Sequence, residues 1–245
     1  MKRKIYEDLL RWKQEEAGRT ALLIDGARRV GKSYIAETFA KAEYKSYLVV
    51  DFNRVSQAVT DLFLNYMDDL DLFFLYLSNY YNVKLYPRET LIILDEVQLF
   101  PKARAAIKYL VADGRYDYIE TGSLLSIKKN TAGIVIPSEE TRIDMFPMDY
   151  EEFRWAMGDN ATIPLMKELF DSRKGIGDAV SRKLLQDFRL YMLVGGMPQA
   201  VNTFLDTKNL SSVDSIKREI IELYADEGRV CASDNIYPDP EWTRV

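Results

Sequence analysis

Apolar residues recur along this chain with two different periods, and the changes of period predict its elements. Short, nearly continuous apolar runs occur at Ala21 to Ile24, Ser46 to Phe52 and Thr90 to Leu94, and shorter strand-like stretches interrupted by charge at Tyr116 to Thr121 and Arg142 to Pro147. Runs of this length, bounded by polar or turn residues, read as strands covered on both faces. Between them the spacing lengthens to three and four. Ile35, Ala36, Phe39 and Ala40 form one helical stripe, and residues 55 to 82 hold one or two more through Val59, Leu62, Phe63, Phe73 and Leu77. A further helix opens at Pro101, suited to a first turn, and ends at Gly114, with Ala103, Ala106, Ile107, Leu110 and Val111 inward. Arg104 and Lys108 fall on its outer side and read most simply as solvated, with Arg104 alternatively facing the nucleotide of a neighbouring subunit. A short amphipathic helix through Ile5, Leu9 and Trp12 precedes the first strand. Asp51, at the end of the second strand, reads as the cap of a turn. Strands alternating with helices predict an α/β fold.

Beyond residue 147 the strand-like runs stop. Residues 149–157, 163–173 and 180–194 read as helices, followed by a turn at Gly195-Gly196-Met197-Pro198 and helices through Phe204 and over 213–224. Residues 126–140 read as a loop around Ile134-Val135-Ile136, and after Asp226 no periodicity remains. The expected plan is an α/β domain over 1–147, a helical subdomain over 148–226 and an unpatterned tail over 227–245.

Composition narrows the chemistry. Of 245 residues, 47% are hydrophobic and 29% charged, as in a soluble globular protein. The apolar runs Leu72 to Leu77 and Leu91 to Leu94 fall far short of the roughly 20 residues that cross a bilayer. The basic start, Met1 to Ile5, lacks the apolar core of a signal peptide, so a cytoplasmic protein is expected. A net charge of −5 makes no global case for nucleic acid; Lys2-Arg3-Lys4 and Lys128-Lys129 support it only locally and read more simply as solvated charge. The single cysteine, Cys231, excludes an internal disulfide framework. The absence of histidine removes the commonest general base and leaves catalysis to carboxylates, lysines, arginines or a metal.

Two motifs carry that chemistry. Gly26-Ala27-Arg28-Arg29-Val30-Gly31-Lys32-Ser33 follows the first strand and opens the next helix, the arrangement of a phosphate-binding loop. Backbone N–H groups and the positive helix end favour a triphosphate there; Lys32 neutralises its outer phosphates and the Ser33 hydroxyl takes one position on Mg²⁺. Asp95-Glu96 ends the third strand, as expected opposite such a loop: Asp95 is expected to hold the metal through a water, and Glu96 to orient or deprotonate the attacking water. Small-molecule kinases need no water-activating glutamate, so the pair favours hydrolysis. Thr121 and Ser123 end the next strand.

With these residues in view the sequence resembles the bacterial and archaeal AAA-type ATPases that usually carry a second, C-terminal domain. The resemblance rests on Asp25 to Ser33, Leu94-Asp95-Glu96-Val97-Gln98, Glu120-Thr121-Gly122-Ser123, Phe146-Pro147-Met148 with Glu152-Phe153, and Gly195-Gly196-Met197-Pro198-Gln199-Ala200. It covers residues 1 to about 225. It implies a P-loop NTPase of the additional-strand class, with a parallel five-stranded sheet flanked by helices and a small helical lid. In that class the strand after the acidic pair lies between it and the phosphate loop. By position, Lys32 and Ser33 become the phosphate and metal contacts, Asp95 and Glu96 the hydrolytic pair, Thr121 or Ser123 a γ-phosphate sensor, and Arg142 a sensor or trans-acting finger. ATP rather than GTP is likewise implied. Relatives continue past the helix ending near Tyr224, so the chain reads as lacking an output domain. The expected function is an Mg²⁺-dependent ATPase switching conformation, with an unknown protein client and possible homo-oligomer; the alternative is a nucleotide-gated scaffold with negligible turnover.

Overall fold

The structure, a computed structural model, describes residues 1–123 and 139–233. The loop expected over 126–140, including Lys128-Lys129, falls outside the described residues as far as residue 138. Two compact units are present: Met1–Lys4 together with the residues from Pro147 onward form one, and Ile5–Phe146 form the other.

The Ile5–Phe146 unit is an α/β layer structure. In chain order it holds α1 (Ile5–Glu15), β1 (Ala21–Gly26), α2 (Lys32–Glu43), β2 (Ser46–Asp51), α3 (Gln57–Asn65), α4 (Leu70–Tyr81), β3 (Thr90–Asp95), a 3₁₀ turn (Val97–Leu99), α5 (Pro101–Asp113), β4 (Asp117–Ser123) and β5 (Glu140–Met145). The five strands are parallel in the order β2-β3-β4-β1-β5. β4, the strand that follows the acidic pair, therefore lies between β3 and β1. This is the additional-strand arrangement of a P-loop NTPase.

The strands β1, β3 and β4 are buried on both faces, whereas β2 and β5, at the two edges of the sheet, are covered less completely than expected. Leu48, Val50, Ile92, Leu94 and Tyr118 point into a core with Val59 and Phe63 of α3, Phe73 and Phe74 of α4, and Ile107 and Leu110 of α5. Their alternate neighbours, Leu91, Ile93 and Ile119, are equally buried on the other face, and α2 packs against β1 through β4. Aromatic density in residues 55–82 is core packing: Phe63 meets Phe73 edge to face at 5.1 Å and Phe74 meets Tyr116 at 4.7 Å.

The other unit holds α6 (Tyr150–Ala156), α7 (Thr162–Asp171), α8 (Asp178–Val194), α9 (Pro198–Thr207) and α10 (Leu210–Ser233). Its core gathers Met148, Phe153, Val194, Ala200, Val201, Phe204 and Val213. Asp149 starts α6 with a capping box, its side chain taking the Glu152 N–H while Glu152 takes that of Asp149. The Gly195-Gly196 pair has a packing reason. Gly195, at φ 81°, ends α8, and a Cβ on Gly196 would lie 2.1 Å from the Met148 carbonyl oxygen. α10 continues to Ser233, beyond residues 224 and 226, where the periodic pattern stops. Helix propagation needs only local hydrogen bonds, and one glycine such as Gly228 costs about 1 kcal/mol.

Lys2-Arg3-Lys4 is not a free basic arm. Arg3 is buried with its Nε 3.2 Å from Glu152, Lys4 Nζ contacts Asp149 at 2.6 Å and Glu151 at 2.8 Å, and Lys2 Nζ sits 4.4 Å from the Trp155 ring centre. Arg3 thus departs from the solvated reading, while Lys2 and Lys4 remain exposed with partners in the same unit.

Candidate nucleotide site

The carboxyl-terminal ends of β1, β3 and β4 lie side by side, the place where parallel α/β sheets bind ligands. β1 delivers the glycine loop. A Cβ on Gly26 would approach the Met145 carbonyl oxygen to 2.2 Å, so the loop leaves the strand where only glycine fits. Val30 is fully buried and anchors the loop, whereas Ala27, Arg28 and Arg29 are exposed; Arg29 adopts a left-handed conformation at φ 63°. Gly31, at φ 98°, caps α2 and offers no side chain to its first N–H groups. That leaves the helix end suited to an anion. Lys32 is buried and its Nζ donates to the carbonyls of Gly26 and Ala27, 3.0 Å each, across the loop.

Three predicted site residues meet at one oxygen. Ser33 Oγ donates to Asp95 Oδ1 at 2.7 Å, and Thr121 Oγ1 donates to the same atom. Glu96 follows in a left-handed conformation, φ 56° and ψ 47°, a backbone cost of about 1–2 kcal/mol for a residue with a Cβ. It is held there by its N–H donating to Thr121 Oγ1 at 3.3 Å. Thr121 thus ties together both members of the acidic pair. Ser123 is buried at the tip of β4, in register with Gly26. Among the described residues no group of three or more Asp, Glu, His or Cys could cage a metal. A serine hydroxyl beside one carboxylate oxygen is nevertheless a hard-oxygen pair that fits Mg²⁺ sharing its remaining positions with phosphates and water.

Arg142 stands apart from this cluster. Its Nη2 lies 2.8 Å from Asp25 Oδ2 and 3.0 Å from Asp144 Oδ1. Asp25 Oδ1 in turn accepts the Gly26 N–H at 2.6 Å. Burial pushes the Asp25 carboxyl above its ordinary range, against the pull of Arg142 and of that N–H. Arg104 requires a correction: it is 4% exposed, and its guanidinium grips Glu140 of β5 with bonds of 3.0 and 2.8 Å. Its spacing explains this, since Ile107 and Val111 lie three and seven residues on, in the same inward stripe. Beside the pair, Glu120 of β4 is fully buried and neither carboxylate oxygen has a hydrogen-bond partner among the described residues. Burial first, and the adjacent Glu140 second, push its carboxyl well above the ordinary range. Asp51 caps its turn, accepting the Asn53 N–H at 2.9 Å.

Asp25, Glu120 and Gln98 make contacts for which the motifs assigned them no role. The available signal was a polar residue at an inward position of an otherwise apolar strand, or, for Gln98, its place two residues after the acidic pair. Gln98 is buried, and its Nε2 donates to Glu96 Oε2.

A family model described as an AAA domain matches residues 18–154, more than half of the chain. No curated protein matches the sequence. Among solved structures, the replication initiator DnaA bound to AMPPCP and single-stranded DNA is similar at 11% identity and a TM-score of 0.45, over 90% of this chain and 65% of that one. AMPPCP-bound DnaA from Aquifex aeolicus is similar at 12% identity and a TM-score of 0.42, over 89% of this chain and 64% of its own. C. elegans PCH-2 is similar at 12% identity and a TM-score of 0.33, over 69% and 45%. The chain thus spans less than two thirds of the length of each.

Proposed function

The chain belongs to the AAA domain family, and from that premise we propose that it is an Mg²⁺-dependent ATPase that uses hydrolysis as a conformational switch. The observation carrying this reading is the convergence of Ser33 and Thr121 on Asp95 Oδ1, beside a glycine loop and followed directly by Glu96. Loop N–H groups from Gly26 to Ser33 and the Lys32 ammonium bind the phosphates. Ser33 and Asp95 would hold Mg²⁺, which would offset phosphate charge. Glu96 accepts a proton from water as the water oxygen bonds to the γ-phosphorus; the bond from that phosphorus to the bridging oxygen breaks and ADP leaves with inorganic phosphate. Thr121 and Ser123, at the tip of the intervening strand, sense the γ-phosphate. Arg142 holds the loop through Asp25 rather than acting as a finger. Self-association, a protein client and a cytoplasmic location accompany this reading. Among the described residues no helix is long and apolar enough to cross a membrane.

Glu96→Gln tests it. Phosphate release should fall by about 10²- to 10⁴-fold, the usual worth of a general base, while nucleotide affinity is kept. Unchanged turnover would reject the assignment. A second reading, a nucleotide-gated scaffold, is favoured by α7, which buries none of its residues while exposing Leu165 and Phe170. ATP binding without turnover, with or without self-association, would select it.

A further inference from the structure

We propose that Gln98 is a positioning residue for hydrolysis: its amide N–H holds one oxygen of the Glu96 carboxylate and leaves the other to accept the proton of the attacking water. The proposal rests on the reading of Glu96 as the water-activating base. Gln98 Nε2 donates to Glu96 Oε2. Among the described residues Glu96 Oε1 accepts no hydrogen bond, so one acceptor is used and one remains.

The contact belongs to a rigid local unit. Glu96 takes a left-handed backbone conformation and is followed by the 3₁₀ turn Val97–Leu99, closed by Leu99 N–H to the Glu96 carbonyl at 3.0 Å and Phe100 N–H to the Val97 carbonyl at 3.1 Å. Val97 is fully buried and Gln98 only 7% exposed, so the turn is pinned into the core. A side chain two residues from its partner, on a pinned turn, cannot act as a distant latch; it travels with Glu96 and sets its orientation. The chemistry of the donor also matters. An ammonium or guanidinium at this position would neutralise the carboxylate and weaken it as a base, whereas an amide orients it and leaves its charge intact. Thr121 completes the arrangement by fixing the Glu96 backbone N–H.

The test compares Gln98→Glu, which keeps the shape but loses the donor, with Gln98→Ala and with Glu96→Gln. Steady-state ATP turnover, nucleotide affinity and thermal melting are measured on each. The expected result is a kcat lower by about 10- to 100-fold in both Gln98 variants, part of a general base's usual contribution, with KM and nucleotide affinity within about threefold. The double variant Glu96→Gln/Gln98→Ala should turn over no more slowly than Glu96→Gln alone, because the two act as one unit. Turnover at or above the unsubstituted level in either Gln98 variant overturns the proposal, and an increase would make Gln98 a mask over the base. Loss of nucleotide binding in both variants also overturns it, by showing that the residue supports the fold. If Glu96→Gln itself leaves turnover intact, it is the hydrolytic reading that fails.

Discussion

The two units treat carboxylates in opposite ways. In the Ile5–Phe146 unit, Glu120 is buried without a hydrogen-bond partner among the described residues, and Asp25 is buried where Arg142, the Gly26 N–H and Lys32 do not fully offset the cost; burial is the largest influence on each and raises both above the ordinary range. In the helical unit the carboxyls act as caps and ion pairs, and even the buried Glu152 has Arg3 and the Asp149 N–H as partners. Burial works against Asp149, but Lys4 and the Glu152 N–H outweigh it; Glu151 is lowered chiefly by Lys4; at Asp159 burial is again outweighed, by the Thr162 hydroxyl and N–H and by Arg154. The difference follows from packing. A sheet covered on both faces has nowhere to send a polar side chain, whereas helix ends present N–H groups and lysines at the surface. Apolar groups divide by core and surface: Ile93 is 0% exposed, while Phe170 of α7 is 82% exposed.

The largest expected effect separates these packing regimes. Ile93→Ala should lower unfolding free energy by about 2–5 kcal/mol, the cost of a core cavity, whereas Phe170→Ala should change it by less than about 0.5 kcal/mol. Urea denaturation followed by circular dichroism measures both. Equal costs would break the comparison.

A smaller effect sharpens the electrostatic half. A carboxyl raised in the folded state contributes stability that is full below its unfolded value and lost as pH rises through the folded one. Glu120→Gln keeps an N–H donor beside Glu140 and removes that loss. Its melting temperature should therefore exceed that of the unsubstituted protein at pH 8 to 9, by a few degrees if about 1–2 kcal/mol is recovered, and converge with it toward the unfolded carboxyl value. The lowered carboxyls of the helical unit carry the opposite sign: their stability is present above the unfolded value and lost as pH falls through the folded one. Amide exchange resolved by region should show α6 opening first on acidification. A melting temperature that Glu120→Gln leaves unchanged at every pH would count against the buried-acid account.

The smallest effect is local. Asp149→Ala removes one half of the α6 capping box and should cost about 1 kcal/mol. Exchange protection over Tyr150–Ala156 measures it.

What the chain determined locally was the set of elements and the ends of the site. Apolar periods marked the strands and most helices, and the glycine loop and Asp95-Glu96 were readable because each function there belongs to neighbouring residues. Some expectations failed where a local pattern carried two meanings. Arg104 has the right spacing for an inward stripe and the wrong chemistry for it, and only Glu140, 36 residues on, decides that it is buried. The Lys2-Arg3-Lys4 run reads as free charge until Glu152 and Asp149 are brought beside it.

Tertiary structure decided the pairings. Only the order β2-β3-β4-β1-β5 sets Thr121 between Asp95 and the phosphate loop. The physical reason is one of range. Apolar periods and motif residues are legible within a few positions of one another, whereas the hydrogen bonds that orient Asp95 join it to Ser33 and Thr121, 62 and 26 residues away.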